Sequence, residues 1–221
     1  MKIYVVGSSK NKFLPLDNIR EKFLIDEKHE GDNIDNLNPW YCELTGLYYM
    51  WKHCDDDIVG LEHYRRYFVN EKGNLLSENE ISESLKQYDV IAHMSKDIGT
   101  TVFQATRWCN SNHISMENVA KRILFCLIYN YPAQKDFIKG MMNSRCHWQG
   151  NMMICRKEDM QKYCEWLFDF FFNKFKDFQP INIPPRTFGY MSELFLFPFW
   201  LHINKMKIKN SCRLDLLKSD I

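Results

Sequence analysis

The stretch VGLEHYRRYF, residues 59–68, decides the fold class of this chain. It continues an apolar run that starts at Ile58, and a short apolar run of this kind predicts a buried strand. The run ends at four charged or titratable side chains, namely Glu62, His63, Arg65 and Arg66. Because ligands of open α/β sheets bind at the carboxyl ends of strands, we expect the binding site at this point of the chain.

The two adjacent arginines are suited to bind a diphosphate. A guanidinium group can donate two parallel hydrogen bonds to phosphate oxygens, so Arg65 and Arg66, with Glu62 beside them, are predicted to contact a phosphorylated ligand. The alternative is a strand end whose charged side chains are merely solvated. The neighbouring aromatic residues Tyr64 and Tyr67 argue against that alternative, because such side chains seldom lie free in water.

Length and composition predict a single globular domain over residues 1–221. The chain is 45% hydrophobic and 26% charged, as in ordinary soluble proteins. Its net charge of +1 argues against nucleic acid as a partner, because nucleic-acid binding needs an excess of cations on one face. The eight cysteines form no C-x-x-C pair, and the first residues lack a signal-peptide core, which together predict a cytoplasmic protein with free thiols.

One apolar segment leaves a second interpretation open. Residues 194–203 are mostly apolar and are followed by Lys205, Lys207 and Lys209. An apolar segment beside basic residues can contact an anionic membrane surface, so peripheral contact with the inner face of the cell membrane is an alternative. The preferred interpretation is a core helix followed by a solvated tail.

The pattern along the chain predicts alternating strands and helices. Strands are expected at residues 3–6, 58–62, 88–92 and 152–155. Helices are expected from about residue 40, at 78–87, 116–129, 133–142 and 157–175, and from about residue 192. Residues 11–39 are expected to form a long loop, and residues 93–114 carry side chains typical of sugar binding. This order predicts an α/β domain with a mixed, mostly parallel central sheet flanked by helices.

Four blocks of the chain also resemble, in order, the motifs of a bacterial family of capsule, exopolysaccharide and O-antigen glycosyltransferases, long catalogued as a domain of unknown function. Residues 60–68 resemble its GLxHYRRYF signature, and residues 31–52 are similar to GDNIS…NxxYCELTGLYWxWKN. Residues 151–168 resemble NMFI…YCEWLF, and residues 186–193 resemble the start of RxFGYxSERLL. The chain departs from the family at GSSK, residues 7–10, where relatives have Thr-His-Lys.

The resemblance implies a fold and an activity. The fold is that of nucleotide-sugar transferases of the GT-A-like kind. The implied activity is transfer of a hexose, with galactofuranose as one candidate, from a UDP-sugar donor. The implied acceptor is a glycan or a lipid-linked oligosaccharide in surface polysaccharide synthesis.

Transfer with inversion needs a carboxylate that accepts the proton of the acceptor hydroxyl. The candidates are Asp32, Glu43, Glu62 and Glu193. Glu193 is preferred because it lies in a block that the resemblance singles out, although a glutamate in a first helical turn can also serve only the helix dipole. The predicted catalytic residues are Glu193, His63 and Asp32. Further predicted contacts are Ser8, Asn33 and Asn151 to the donor, and Trp148, Arg186 and Tyr190 to the acceptor.

The spacing of acidic residues predicts no metal site. The string DDD at residues 55–57 resembles a metal-binding Asp-x-Asp but precedes the strand, so it lies at the wrong end of the sheet and is interpreted as a solvated turn. Arginines can replace a metal ion at a leaving diphosphate, because the transition state there needs positive charge. Binding of Mg²⁺ or Mn²⁺ by His63 with Glu62 is left open by the sequence.

Two functions of other classes also fit the sequence. One is a non-catalytic nucleotide- or glycan-binding subunit of a polysaccharide synthesis complex. The other is a phosphate-ester hydrolase that uses His63. Release of UDP in the presence of an acceptor separates the transferase from both.

Overall fold

The computed structural model describes residues 1–107 and 115–216. Within these residues, eight strands form one sheet: β1 (Lys2–Gly7), β2 (Arg20–Leu24), β3 (Ile58–His63), β4 (Arg66–Val69), β5 (Val90–Ser95), β6 (His147–Arg156), β7 (Ile208–Asn210) and β8 (Cys212–Asp215). The α-helices are α1 (Asn38–Tyr41), α2 (Leu44–His53), α3 (Glu78–Leu85), α4 (Val102–Ala105), α5 (Glu117–Asn130), α6 (Lys135–Asn143), α7 (Lys157–Asp169), α8 (Thr187–Met191) and α9 (Phe197–Ile203). Part of the predicted sugar-binding loop, residues 108–114, lies outside the described residues.

The sheet has the order β2-β1-β3-β6-β5-β7, and β4 pairs with both β3 and β8. β1 is parallel to β2 and β3, and β5 is parallel to β7, whereas β6 is antiparallel to both of its neighbours. Six strands (β1, β2, β3, β5, β7 and β8) therefore run in one direction, and β4 and β6 run in the other. The prediction of an α/β domain with a mixed central sheet flanked by helices is confirmed, whereas among the described strands three pairings are parallel and four are antiparallel.

The sheet separates two apolar cores because successive side chains of a strand point to opposite faces. Tyr4 and Val6 of β1 join the larger core, which also contains Leu47 of α2. Ile3 joins the smaller core, which contains Ile81 of α3. The two central parallel strands, β1 and β3, end side by side, since Val6 pairs with His63. Their carboxyl ends therefore form a single edge.

Two local expectations from the sequence are wrong. The helix expected from about residue 40 is broken, because Cys42 adopts a left-handed φ of 53° between α1 and α2. The region expected as a loop, residues 11–39, contains the edge strand β2, whose charged residues hide its pattern. By contrast, the capping box before α3 is confirmed: Ser77 Oγ accepts a hydrogen bond from the Glu80 backbone N–H, and the Glu80 carboxylate accepts from Ser77.

The last long helix starts earlier than expected. α8, a π-helical segment (Ser192–Leu196) and α9 follow one another without interruption, so helical structure begins at Thr187 instead of near Ser192. α7 likewise continues into a π-helical segment, Phe170–Lys174. Residues 194–201 are almost entirely buried, which confirms the core-helix interpretation of that apolar run. None of the helices in the described part of the chain is both long and apolar enough to cross a membrane.

The acidic string before β3 lies at the opposite end of the sheet from the carboxyl ends of β1 and β3, as expected. Asp55 is fully exposed and forms an ion pair with Lys157 at the start of α7, 2.8 Å apart. The cysteines of the described residues carry free thiols, and Cys109 lies outside them.

Candidate functional site

A polar cleft opens at the edge where β1 and β3 end, and it has two adjoining chambers. The outer chamber, of about 330 Å³, is lined by Val6, Gly7, Ser8, Asn11, Ile25, Asn38, Pro39, Cys42, Glu43, His63, Tyr64, Arg65 and Arg186. The inner chamber, of about 130 Å³, is lined by Cys42, Glu43, His63, Arg65, Arg66, Arg186, Gly189, Tyr190 and Glu193. The chambers share five of these residues, so a ligand can extend from one into the other.

Three guanidinium groups line the inner chamber. Arg65 lies in the tight connection between β3 and β4, Arg66 begins β4, and Arg186 caps the start of α8. The Nε atom of Arg65 is buried without a hydrogen-bond partner among the described residues. Arg66 Nε lies 3.3 Å from a carboxylate oxygen of Asp215. Because buried polar groups are nearly always paired in folded proteins, the unpaired Arg65 nitrogen indicates a place for an external acceptor.

His63 lies among these arginines and is uncharged at neutral pH. Burial, followed by the charges of Arg66, Arg65 and Arg186, lowers its pKa to about 3. The backbone N–H of Arg65 points to His63 Nδ1 at 3.4 Å, which favours the tautomer that carries its proton on Nε2. A neutral imidazole offers one donor and one acceptor, so His63 can form hydrogen bonds to a ligand but adds no positive charge.

Two carboxyl groups face the arginines across the inner chamber. Glu193 lies in the π-helical segment and is 8% exposed, and His147 Nε2 lies 3.0 Å from its Oε1. Glu43 lies at the break between α1 and α2, and Asn151 Nδ2 donates a hydrogen bond of 2.8 Å to its Oε1. Burial, and then the charge of Glu193, raise the pKa of Glu43. Short π-helical segments inside α-helices are frequent at functional sites.

Backbone strain is concentrated at the same place. Four non-glycine residues in the described part of the chain have positive φ, and three of them are Cys42 (53°), Asn151 (51°) and Arg186 (64°). Cys42 and Arg186 line the inner chamber, and Asn151 contacts Glu43 behind it. Conformations of this kind cost about 1–3 kcal/mol each and cluster at binding and catalytic sites. Their coincidence here supports the cleft as the functional site.

Most of the residues that the sequence singled out meet in this cleft. The structure brings together Ser8, His63, Arg65, Arg66, Arg186, Tyr190 and Glu193, and it places Asn151 directly behind Glu43. Four other predicted site residues lie elsewhere: Glu62, Asp32, Asn33 and Trp148.

Glu62 points to the other face of the sheet from His63, since the two are neighbours in a strand. Arg20 Nε donates to Glu62 Oε2 at 2.8 Å and Arg20 Nη2 donates to Oε1 at 3.2 Å. The backbone N–H of Phe68 donates a third hydrogen bond, of 3.0 Å. Glu62 is therefore enclosed in a structural ion pair outside the cleft. For the same reason Glu62 and His63 cannot bind one metal ion together.

Asp32 and Asn33 stabilise the loop that packs against α2. Asp32 Oδ1 accepts a hydrogen bond of 2.9 Å from Tyr48 Oη, and Lys52 Nζ lies 3.6 Å from Oδ2. Asn33 Nδ2 donates to the backbone carbonyls of His29 and Gly31. Asp32 thus ties the loop to α2 and Asn33 bonds within the loop. Neither side chain reaches the cleft.

Trp148 packs in an apolar hollow beside α9, where its ring meets Phe197 edge-on at 6.1 Å. Its neighbour in β6, His147, contacts Glu193 instead. The sequence drew attention to the aromatic residue, whereas the alternation of the strand brings the histidine next to the cleft.

Several cleft residues were not assigned a site role from the sequence. Asn11 Oδ1 accepts a hydrogen bond of 2.6 Å from the Ser8 backbone N–H, which orders the turn after β1. Asn11 lies three residues after Ser8, which is a detectable turn signal. Cys42 offered no signal, because its left-handed backbone depends on the packing around it. Glu43 was considered only as an alternative base.

The residues present do not form a recognisable metal centre. Within residues 1–107 and 115–216, no three or more His, Cys, Asp and Glu side chains are grouped so as to hold a metal ion. The charges that lower the pKa of His63 are those of Arg66, Arg65 and Arg186, after the effect of burial.

Comparisons with known proteins agree on the fold and place the chain in a family. The structure resembles a solved apo structure of WbbM, a bifunctional glycosyltransferase, with a TM-score of 0.73 and 20% sequence identity. The resemblance covers 97% of this chain and 45% of that one, so this chain spans less than half the length of WbbM. No curated protein matches the chain in sequence. Residues 2–205 match the profile of the family DUF4422, described as a domain of unknown function, and the chain therefore belongs to that family.

Proposed function

We propose that the protein is a glycosyltransferase that binds a nucleotide sugar in the cleft and transfers its glycosyl group to a glycan hydroxyl. The observation that carries the proposal is the meeting of Arg65, Arg66 and Arg186 with the carboxylate of Glu193 in one small chamber. Guanidinium groups match a diphosphate leaving group, and a carboxylate matches the need to take up a proton. The activity in the name of WbbM, whose structure shares this fold, agrees with the proposal.

The nucleotide of the donor lies in the outer chamber in this proposal. Ser8 and the turn after β1 form one wall, and Tyr64 offers an aromatic ring. Gly7 allows Phe13 and Tyr64 to pack against this turn, because a Cβ atom there would lie 2.7 Å from Phe13 Cζ and 2.9 Å from Tyr64 Cβ. With the family resemblance in view, the donor is a UDP-hexose, and UDP-galactofuranose is the first to test.

The diphosphate of the donor reaches into the inner chamber. Arg65, Arg66 and Arg186 supply the positive charge that stabilises the leaving UDP, and neutral His63 donates a hydrogen bond from Nε2. In this arrangement a diphosphate oxygen accepts a hydrogen bond from the otherwise unpaired Nε of Arg65. A divalent cation in the same chamber would be repelled by three guanidinium groups, so the proposal assigns the leaving-group role to the arginines.

Glu193 acts as the general base. Its carboxylate accepts the proton of an acceptor hydroxyl, the hydroxyl oxygen forms a bond to the anomeric carbon, and the bond from that carbon to the diphosphate oxygen breaks. His147 Nε2 lies 3.0 Å from Glu193 Oε1, although the geometry of this contact is not that of a hydrogen bond. Tyr190 and Arg186 lie beside this carboxylate and are the residues proposed to contact the acceptor glycan.

Acceptor-dependent release of UDP tests the proposal. Purified protein is incubated with UDP-galactofuranose, UDP-galactopyranose or UDP-glucose, with and without galactose-terminated oligosaccharides as acceptors. We expect at least one donor to release UDP much faster when an acceptor is present. Binding of UDP without release would instead favour a binding subunit, and release of phosphate from simple phosphate esters would favour a hydrolase.

A further inference from the structure

Glu43 stands at the boundary between the two chambers, and the proposed reaction gives it no role. Glu43 lines both chambers, whereas Glu193 lines only the inner one. We propose that Glu43 binds hydroxyl groups of the transferred glycosyl unit and so determines which sugar is accepted, with Asn151 as its positioning residue. This inference rests on the proposed function and deepens it.

Position along the cleft is the first argument. In a nucleotide sugar the glycosyl unit follows the diphosphate. If the nucleotide occupies the outer chamber near Ser8, the glycosyl unit must lie beyond the diphosphate, toward Glu193. Glu43 lies between these two points, so a ligand that extends from Ser8 toward Glu193 passes its carboxyl group. A second carboxylate is not needed as a base there, and its natural partners are the hydroxyl groups of a sugar.

The local backbone is built to hold Glu43 in this place. α1 ends at Tyr41, Cys42 leaves the helical region with φ 53° and ψ −126°, and α2 starts at Leu44. A left-handed conformation is unfavourable for a cysteine, so the surrounding structure must enforce it. The break gives Glu43 a position at the junction of two helices that a continuous helix would not provide.

Asn151 fixes one oxygen of the Glu43 carboxyl group. Its Nδ2 donates 2.8 Å to Glu43 Oε1 and 2.9 Å to the Gly189 carbonyl, so both hydrogens of the amide are used. Asn151 is itself 2% exposed and has a left-handed φ of 51° after Gly150. The bond to Oε1 leaves Oε2 as the atom for a ligand. A Cβ atom at Gly189 would lie 3.3 Å from the Tyr41 carbonyl oxygen, so the glycine lets α8 pack closely against the junction that carries Glu43.

The charges around Glu43 suit hydroxyl recognition. Glu193 and Arg186 face it from the last long helix, Asn151 from β6, and His63 and Arg65 from the end of β3. Burial and the charge of Glu193 raise its pKa, which increases the fraction of Glu43 that is protonated. A protonated carboxyl group can donate and accept, as a hydroxyl can. An enclosed site of this kind rejects a sugar that leaves its polar atoms unpaired.

The test separates sugar binding from nucleotide binding. Calorimetry measures the affinity for UDP and for UDP-galactofuranose, UDP-galactopyranose and UDP-glucose with wild type, Glu43→Ala, Glu43→Gln and Asn151→Gly. Glycine at position 151 tolerates the left-handed backbone, so this variant removes the amide without adding strain. Exposed Glu165 of α7 provides the matched control, Glu165→Ala.

We expect every variant to bind UDP within about threefold of wild type. In Glu43→Ala the preference of the wild type among the three UDP-hexoses falls by about tenfold or more, the size of one lost hydrogen bond to a polar partner. Asn151→Gly loses part of that preference. Glu43→Gln keeps the shape and holds its oxygen toward Asn151, so its remaining group can only donate and the order of preference changes.

Two results would overturn the inference, and they are distinguishable. If wild type binds and turns over a UDP-hexose but Glu43→Ala and Glu43→Gln keep the full preference among donors, this inference is wrong while the proposed function stands. If wild type binds neither UDP nor any of the three donors, the proposed function fails and the inference fails with it. Glu43→Gln decides the matter if Glu43→Ala does not fold.

Discussion

The last two residues of β3 place their side chains in two contrasting regions. Glu62, on one face, has its carboxylate fully used by Arg20 and by the Phe68 backbone N–H. His63, on the other face, looks into a chamber where three guanidinium groups and two carboxyl groups meet. Both regions are rich in charge and both come from one short stretch of sequence.

The difference shows how a structural charge is told from a functional one. Around Glu62 the partners are internal, the geometry is bidentate and no space is left for a ligand. Around His63 the backbone is strained at Cys42 and Arg186, and an Arg65 nitrogen lacks a partner among the described residues. Backbone strain and unpaired polar atoms both lower the stability of the folded state. Proteins keep such features at places where they serve the binding of a ligand. We therefore expect that removing a charge on the Glu62 face lowers stability, whereas removing a charge on the His63 face lowers ligand binding or turnover.

Glu193→Gln is expected to have the largest effect. The change keeps the shape of the side chain but removes the base, so turnover should fall roughly 10²–10⁴-fold while folding and UDP affinity are preserved. The measurement is the transfer rate with saturating donor and acceptor, alongside UDP calorimetry on the same variant. Turnover within about threefold of wild type would remove Glu193 from the mechanism and make Glu43 the next candidate.

Glu62→Ala is expected to show the reverse behaviour. It removes the carboxylate that accepts from Arg20 Nε and Nη2 and leaves the buried guanidinium with Asp17 as its remaining acidic partner among the described residues. Breaking a buried ion pair from one side costs about 3–5 kcal/mol in the free energy of unfolding, and the remaining pair with Asp17 places the expected loss near the lower end. Chemical denaturation measures this loss. Lys86→Ala, which removes an exposed pair with Glu83, serves as the control and should change stability little. A loss below about 1 kcal/mol for Glu62→Ala would contradict the contrast between the two faces.

His63 makes the cleft sensitive to acid. Its pKa is lowered to about 3 in the folded protein, so between the ordinary value of 6.5 and about 3 the unfolded chain binds more protons than the folded one. Its contribution to stability is therefore complete above pH 6.5 and is lost as the pH falls toward 3. Melting temperatures of wild type and His63→Gln between pH 4 and pH 8 isolate this contribution. Parallel curves for the two proteins would show that burial and the arginines do not hold His63 neutral.

Glu43 should show the opposite dependence on pH, with a smaller effect. Since its folded pKa is raised, the folded state holds the proton more tightly, and stability falls as the pH rises above the ordinary value of 4.5. Glu43→Gln removes this cost, so the variant should gain melting temperature relative to wild type as the pH increases. A variant that is less stable than wild type at every pH would indicate that Glu43 is a structural carboxylate.

The sequence predicted the architecture and singled out residues that meet in the cleft, because local patterns determine both. Apolar runs located β1 and β3, and the adjacency of Arg65 and Arg66 located the cleft. Strand alternation shows that only one of Glu62 and His63 can face a ligand, but it does not show which one. The ion pair with Arg20, which is far away in sequence, fixes Glu62 on the face away from the cleft.

The other differences have the same origin in long-range packing. The register of β6 brings His147 to Glu193 and leaves Trp148 in an apolar hollow, and a shift of one residue would reverse this. The left-handed backbone of Cys42, which positions Glu43, has no signal in a single sequence because cysteine does not favour it. Residues that depend on partners from three or four elements are therefore the ones that sequence reasoning missed.

The account depends most directly on the role of the arginines, and calorimetry of UDP binding tests it. Arg65→Ala and Arg66→Ala should each weaken UDP binding by about 1.5–3 kcal/mol, because each removes a charge-assisted hydrogen bond to the diphosphate. Arg122→Ala, which removes an exposed arginine of α5 outside the cleft lining, is the matched control and should leave UDP affinity unchanged. Weakened binding in both cleft variants, with folding intact, is the result that the account predicts. Wild-type UDP affinity in both folded variants would contradict it.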